Sequence, residues 1–149
     1  MALLYAVDTN ILLRLSDVLD SRHRLIQTSM ARLSSRGIAF CFAQQSLGEF
    51  WNVCTRPLTA NGFGLAIDEA VFQLELIEST MKLLADDERV YRIWRNLLIS
   101  NSVRGVQVHD AHLAAVLQVH NITHLLTLNG RDFKRYQNVI PVHPQDVQS

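Results

Sequence analysis

Leu3-Leu4-Tyr5-Ala6-Val7-Asp8-Thr9-Asn10 is a short apolar run that stops at three polar residues, and its reading decides the fold class. An unbroken run of this kind marks a strand covered on both faces. Residues 38–42 form a second one, and helical periodicity follows each. Residues 22–33 put Ile26, Ser29, Met30 and Leu33 on one stripe, and residues 46–54 do the same with Leu47, Phe50, Trp51 and Cys54. Two more amphipathic stretches are marked by Ile67, Ala70, Val71 and Leu74 and by Val90, Ile93, Trp94 and Leu97, with a short strand at 82–85 between them. A further helix is expected over 110–119. Strand character returns at 124–128 and at 138–142, where Pro141 and Pro144 favour an edge strand and then an ending. Strands alternating with helices predict a parallel sheet with right-handed crossovers and helices on both faces, a three-layer α/β/α sandwich. In such sheets the ligand site lies beyond the carboxyl ends of the strands, where the strand order reverses.

The chain has 149 residues, 48% hydrophobic and 19% charged, enough for one compact domain over 1–149 with one core. Fourteen basic residues balance fourteen acidic ones, so no global positive field draws in a polyanion and nucleic-acid binding has to use a local patch. Candidates are Arg14, the group Arg22, Arg24, Arg32 and Arg36, then Arg56, Arg104, and Arg131, Lys134 and Arg135; scattered arginines also read as a solvated surface. Cys41 and Cys54 sit in apolar segments without zinc spacing, which predicts buried reduced thiols. Neither a signal peptide nor a membrane span is legible, and a cytoplasmic protein is expected. Residues 56–64 carry one proline and two glycines and read as an exposed turn or mobile loop.

Acidic residues stand where such a fold can gather them at one sheet edge: Asp8 after the first strand, Glu49 in a helix, Asp110 at the opening of another, and Asp132 in a late turn. Each also has a simpler reading. Asp8 suits an N-cap for a helix starting near Ile11, and Asp110 an N-cap of its own helix. Glu49 lies off its helix's apolar stripe and reads by itself as solvated, while Asp132 can simply cap a turn.

Taken jointly, Ala6-Val7-Asp8-Thr9-Asn10, then Glu49, then His109-Asp110-Ala111 leading into Leu113-Ala114-Ala115, then Leu126-Thr127-Leu128-Asn129 before Asp132-Phe133, resemble the PIN domain nuclease family across nearly the whole chain. Within that family the chain is most similar to the VapC-type toxins of bacterial toxin-antitoxin pairs. Glu49-Phe50-Trp51 followed by Thr55-Arg56-Pro57 and Asn61-Gly62 is similar to a pattern in one branch of them. The resemblance implies acidic metal positions at Asp8, Glu49 and Asp110, a parallel sheet with helices on both sides, and a metal-dependent endoribonuclease. The partners expected are an RNA substrate, a cognate antitoxin protein and a second copy of the chain in a homodimer.

One position departs from the family's pattern. An acid is common two places after the threonine, and here that place is Asn129, which offers an oxygen but no charge; Asp132 follows three residues later. Thr127 reads either as orienting a water or neighbouring carboxylate, or as a strand threonine with a satisfied hydroxyl. Two carboxylates about 4 Å apart repel by roughly 4 kcal/mol at an effective dielectric of 20, so a cluster stays ionised only with cations between its members. Mg2+ suits hard oxygen ligands, with Mn2+ as a close substitute. Zinc is disfavoured, because His109 and His112 lack the H-E-x-x-H arrangement. The competing reading is a PIN-like module that has lost catalysis and binds RNA or a protein, motivated by Asn129 and the zero net charge. A phosphate-accepting signalling domain of similar architecture lacks its acidic pair and late lysine.

Overall fold

The computed structural model describes residues 3–148. Strand β1 (Leu3–Val7) leads into helix α1 (Thr9–Ser16) and helix α2 (His23–Ser35); β2 (Ile38–Ala43) leads into α3 (Gln44–Thr55) and α4 (Ile67–Thr80). Then follow β3 (Lys82–Leu84), α5 (Glu88–Ser100), α6 (Gln107–Val119), β4 (His124–Leu126) and β5 (Ile140–Val142). All pairings are parallel, in the order β3-β2-β1-β4-β5.

Side-chain alternation along the strands splits the interior into two layers. Ala6, Cys41, Ala43 and Leu125 face α5 and α6 in one core cluster. Val7, Phe42 and Leu126 face the other, which collects Ile11, Ile26, Phe50 and Ala70 from α1 to α4. The expected α/β/α sandwich is therefore present, its helices divided four and two between the faces. Leu125 and Leu126 are both 0% exposed on opposite faces of the same strand, and each contributes on the order of 1.5–3 kcal/mol of burial. Both cysteines are buried free thiols, Cys54 pushed up to about 11 by its apolar surroundings.

The chain winds from β1 outward to β3, then returns to the other side of β1 for β4 and β5. The reversal falls between the carboxyl ends of β1 and β4, the place where an open sheet leaves a crevice. The register Val7↔Leu126 sets Asp8 beside Thr127 there, and Asp8 N–H donates to the Leu126 carbonyl at 3.0 Å.

Three expectations are corrected. Helix α6 begins at Gln107, three residues before Asp110; its N-cap is Val106, which makes no side-chain cap bond. Asp110 is therefore inside the first turn and is not an N-cap. Strand β4 ends at Leu126, so Thr127 lies beyond the strand. Helix α4 buries Ala70 and Ile77, whereas Ile67 is 61% exposed. Residues 56–64 form the exposed turn of the two readings offered, tied to α3. Phe63 N–H donates to Val53 O at 2.8 Å, Leu65 N–H to Cys54 O at 2.9 Å and Gly64 N–H to Arg56 O at 2.9 Å, which staples the segment to the end of α3. Asn61 takes a left-handed φ of 60°, and a Cβ at Gly62 would lie 2.0 Å from the Arg56 carbonyl oxygen, so only glycine admits this close return.

Candidate functional site

Asp8 is the first residue after β1 and caps α1, its Oδ1 accepting from Thr9 N–H at 2.8 Å. The capping and site readings of Asp8 thus coincide in one residue. Its Oδ2 accepts from Thr127 Oγ1 at 2.7 Å and from Asn10 Nδ2 at 3.5 Å. Thr127, 0% exposed, has its hydroxyl doubly engaged, because Oγ1 also accepts from Asn129 N–H at 3.0 Å. Asn10 completes the tie, its Oδ1 accepting from Leu128 N–H at 3.2 Å. The threonine therefore orients a neighbouring carboxylate across the β1–β4 gap. Burial still raises the Asp8 pKa, against the lowering effect of the Thr127 and Thr9 donors; the charges of Glu49 and Asp132 push it further up.

Glu49, half-buried on α3, is held at both oxygens. Thr9 Oγ1 donates to Oε2 at 3.0 Å, and Gln45 Nε2 donates to Oε1 at 3.1 Å and to the His109 carbonyl at 3.1 Å. A freely solvated glutamate is thereby excluded. Sequence reasoning passed over Gln45, although its spacing of four from Glu49 on a helix put the two side chains on one face. Thr9 stands next to Asp8 in the sequence, whereas its hydroxyl reaches the next acid, Glu49.

Asp110 and Asp132 are different. Neither carboxylate accepts a hydrogen bond or forms an ion pair among the described residues. Asp132 sits in the short 3-10 turn Gly130–Phe133 with only its backbone N–H bonded, to Asn129 O at 3.1 Å, so its side chain caps nothing. The Asp110 pKa is pushed up to about 6, first by burial, then by the charges of Asp132, Asp8 and Glu49, with His109 acting weakly the other way. Those mutual effects are the electrostatic signature of acids sharing one space.

That space is a cleft of about 370 Å³ walled by Asp8, Glu49, Asp110, Asn129, Asp132 and Arg56. A neighbouring lobe of about 420 Å³ shares Asp8, Thr9, Glu49 and Asp110 and extends to Val106 and His109. Arg56 ends α3; its Nη2 donates to Asn61 O at 3.2 Å, and its buried Nε has no partner among the described residues. Most other arginines picked from the sequence are engaged elsewhere. Arg14 and Arg22 pair with Asp20, Arg32 and Arg36 donate to the Val147 and Gln148 carbonyls, and Arg135 holds Asn101 O and Gln107. His109 and His112 diverge: His109 walls the acidic lobe, while His112 pairs with Asp86 at 3.1 Å.

Among the described residues no three His, Cys, Asp or Glu side chains are close enough to hold a metal ion by themselves. Mg2+ does not require that, since it keeps several waters and binds through one or two carboxylates. Unpaired, mutually repelling carboxylate oxygens are the donor chemistry that a hard cation would relieve.

The PIN domain family model matches residues 5–139. The chain belongs to the PIN domain family. No curated protein matches the sequence, but solved structures share the PIN fold over most of the chain. VapBC2 from Rickettsia felis, bound to a DNA fragment from its promoter, is 16% identical with a TM-score of 0.69, covering 95% of this chain and 98% of that one. DNA-bound VapBC from Salmonella typhimurium is 17% identical with a TM-score of 0.69, covering 97% and 99%. VapC20 from Mycobacterium tuberculosis, a sarcin-ricin loop cleaving toxin, is 19% identical with a TM-score of 0.62, covering 81% and 86%. Among the described residues of this PIN chain, no helix is long and apolar enough to cross a membrane.

Proposed function

We propose that the chain is one PIN domain over 1–149 acting as a divalent-metal-dependent endoribonuclease, the toxin of a toxin-antitoxin pair. The observation that carries the reading is the convergence of Asp8, Glu49, Asp110 and Asp132 on one cleft with no cation among the described residues paired to any of them. In this reading Asp8, Glu49 and Asp110 hold Mg2+ or Mn2+, and Asn129 or Asp132 fills a fourth position. When bound, the ion supplies Lewis-acid stabilisation of charge building on the phosphodiester oxygens. The chain's own residues prepare for it. Thr127 and Thr9 fix the Asp8 carboxylate, Gln45 and Thr9 fix Glu49, and Asp110, at about 6, is mostly ionised at neutral pH. Arg56, at the rim of the same cleft, supplies the local positive charge that a chain of zero net charge needs to hold an RNA backbone.

The structural likeness to VapBC complexes supports a cognate antitoxin as partner. A homodimer and a cytoplasmic location complete the reading. The test is cleavage of single-stranded or looped RNA by the purified chain, freed of antitoxin. Cleavage should require Mg2+ or Mn2+, stop with EDTA and vanish in Asp8→Asn. Persistence in EDTA overturns the metal mechanism, and RNA binding without cleavage in either metal favours the non-catalytic module.

A further inference from the structure

A second cleft, of about 450 Å³, opens beside the acidic one and shares Gln45 and His109 with it as a dividing wall. Its size is that of a small-ligand site, about 300–1,000 Å³. Among the described residues no lysine or arginine lines it; Asp86, Trp94 and His112 do, with Gln44 and Val108. An aromatic ring beside a carboxylate, with neither lysine nor arginine among the described lining residues, suits a nucleobase better than a phosphate.

The two key groups are held in place. Trp94 Nε1 donates to Val108 O at 3.0 Å, and the ring meets His112 edge-on at 5.2 Å and 88°. His112 is 9% exposed, and its Nε2 lies 3.1 Å from Asp86 Oδ2. The two groups stand at ion-pair distance, and a carboxylate only accepts, so Asp86 remains an acceptor. A second histidine fixes the same loop, His120 Nε2 lying 2.8 Å from Ala85 O. Asp86 keeps a side chain 41% exposed, with its Oδ1 free of any donor among the described residues. Two histidines thus pin the segment between β3 and α5 to α6 and leave one carboxylate oxygen presented to solvent.

We propose that this cleft is a base-specificity subsite, taking the base of a nucleotide that flanks the scissile phosphate: the ring stacks at Trp94 and its Watson–Crick edge donates to Asp86. Guanine fits best, because its N1–H and N2–H lie side by side and can reach the free Oδ1 of Asp86 together with the lone pair that His112 leaves on Oδ2, whereas uracil presents a single donor between two carbonyls. The assignment rests on the nuclease reading of the adjoining cleft, and on no other property of it.

The test walks a single guanosine through an oligouridine pentamer and measures binding in magnesium buffer by anisotropy, with Asp110→Asn as a common background that keeps the RNA intact. Guanosine at one position should tighten binding about tenfold over uridine, and inosine, lacking the N2 amino group, should recover only part of it. Adding Asp86→Asn should remove that preference while leaving the all-uridine affinity within twofold. In a Trp51→Phe background the remaining tryptophan, Trp94, should be quenched by the guanosine oligomer alone. No guanosine preference, or equal loss on every oligomer in Asp86→Asn, overturns the subsite. If Asp86 only braces the fold, the substitution lowers the melting temperature and moves no preference. Cleavage by the unmodified chain is scored separately: cleavage with no guanosine preference sinks the subsite and spares the nuclease, and guanosine-selective binding without cleavage does the reverse.

Discussion

The two sides of the acidic cleft are built on opposite plans. On the β1 side, Asp8 and Glu49 have donors on every carboxylate oxygen, drawn from Thr9, Asn10, Gln45 and Thr127. On the α6 side, Asp110 and Asp132 have none among the described residues, and Asp110 is pushed up to about 6 by burial and by its acidic neighbours. The first side fixes geometry in advance. The second holds unneutralised charge that folding alone does not relieve. A substitution on the β1 side should therefore disturb positioning, whereas one on the α6 side should remove repulsion and, with it, affinity for a cation.

The largest effect expected follows from taking one acid from each side. Asp8→Asn and Asp110→Asn should each lower RNA cleavage by about a hundredfold or more, the scale of losing one preorganised electrostatic contact in an active site. Asp132→Asn should lose less, because Asp132 is exposed and Asn129 stands nearer to Thr127. An Asp132→Asn loss equal to that of Asp110→Asn in the same assay would make Asp132 a direct ligand.

Next comes Thr127→Val, which keeps the volume and removes the hydroxyl that bridges Asp8 and Asn129. Leaving Asp8 Oδ2 short of a buried donor should cost about 1–3 kcal/mol of stability. Cleavage should fall roughly tenfold and its acid limb should move to higher pH, since the Thr127 bond is one of the influences that lower the Asp8 pKa. An unchanged pH profile with reduced stability would reduce Thr127 to a structural bridge.

Smaller still is Arg56→Ala. It should raise KM several-fold and lower the salt slope of RNA binding by about 1, because one phosphate contact is lost. Equal slopes for both proteins would assign Arg56 only to the turn at 57–64 that it anchors.

The subtlest contrast lies in melting curves without metal. The Asp110 carboxyl binds protons more tightly folded, at about 6, than at its ordinary 3.8, so the folded state carries the extra protons between those values. Stability from this group consequently falls as pH rises through that window and stays low above it. In EDTA at neutral pH, Asp110→Asn should melt a few degrees above the unmodified protein, and the difference should shrink towards pH 4. Added Mn2+ should reverse the order, because an ion at a hundred times its Kd stabilises the native state by about 2.7 kcal/mol where the full ligand set is present. Identical curves with and without Mn2+ would remove Asp110 from the ligand set.

Some of this was legible because the signal was local. The run Leu3–Val7 ending at Asp8 gave a strand and a carboxylate at its carboxyl end, and the register with β4 then had one place to put it. Helix α6 was misread at its start for an equally local reason. Val106 supplies no capping side chain, so Asp110 looked like the first residue able to begin the helix. In 56–64 the turn was legible but its anchoring was not, since the bonds that tie it run to Val53 and Cys54 of α3 and leave no mark in the segment itself.

The sequence by itself determined the alternation of strands and helices, the family, and which acids stand at the ends of elements, because hydrophobic periodicity and short motifs act over a few neighbouring residues. Only the tertiary structure decided how those acids differ. The Thr127 hydroxyl reaches Asp8 from 119 positions away and the Thr9 hydroxyl reaches Glu49 from 40, while Asp110 and Asp132 meet their neighbours through space with no donor between them among the described residues. Hydrogen bonding and electrostatic repulsion depend on distance in the folded molecule, and separation along the chain carries no information about that distance until the sheet has set its strand order.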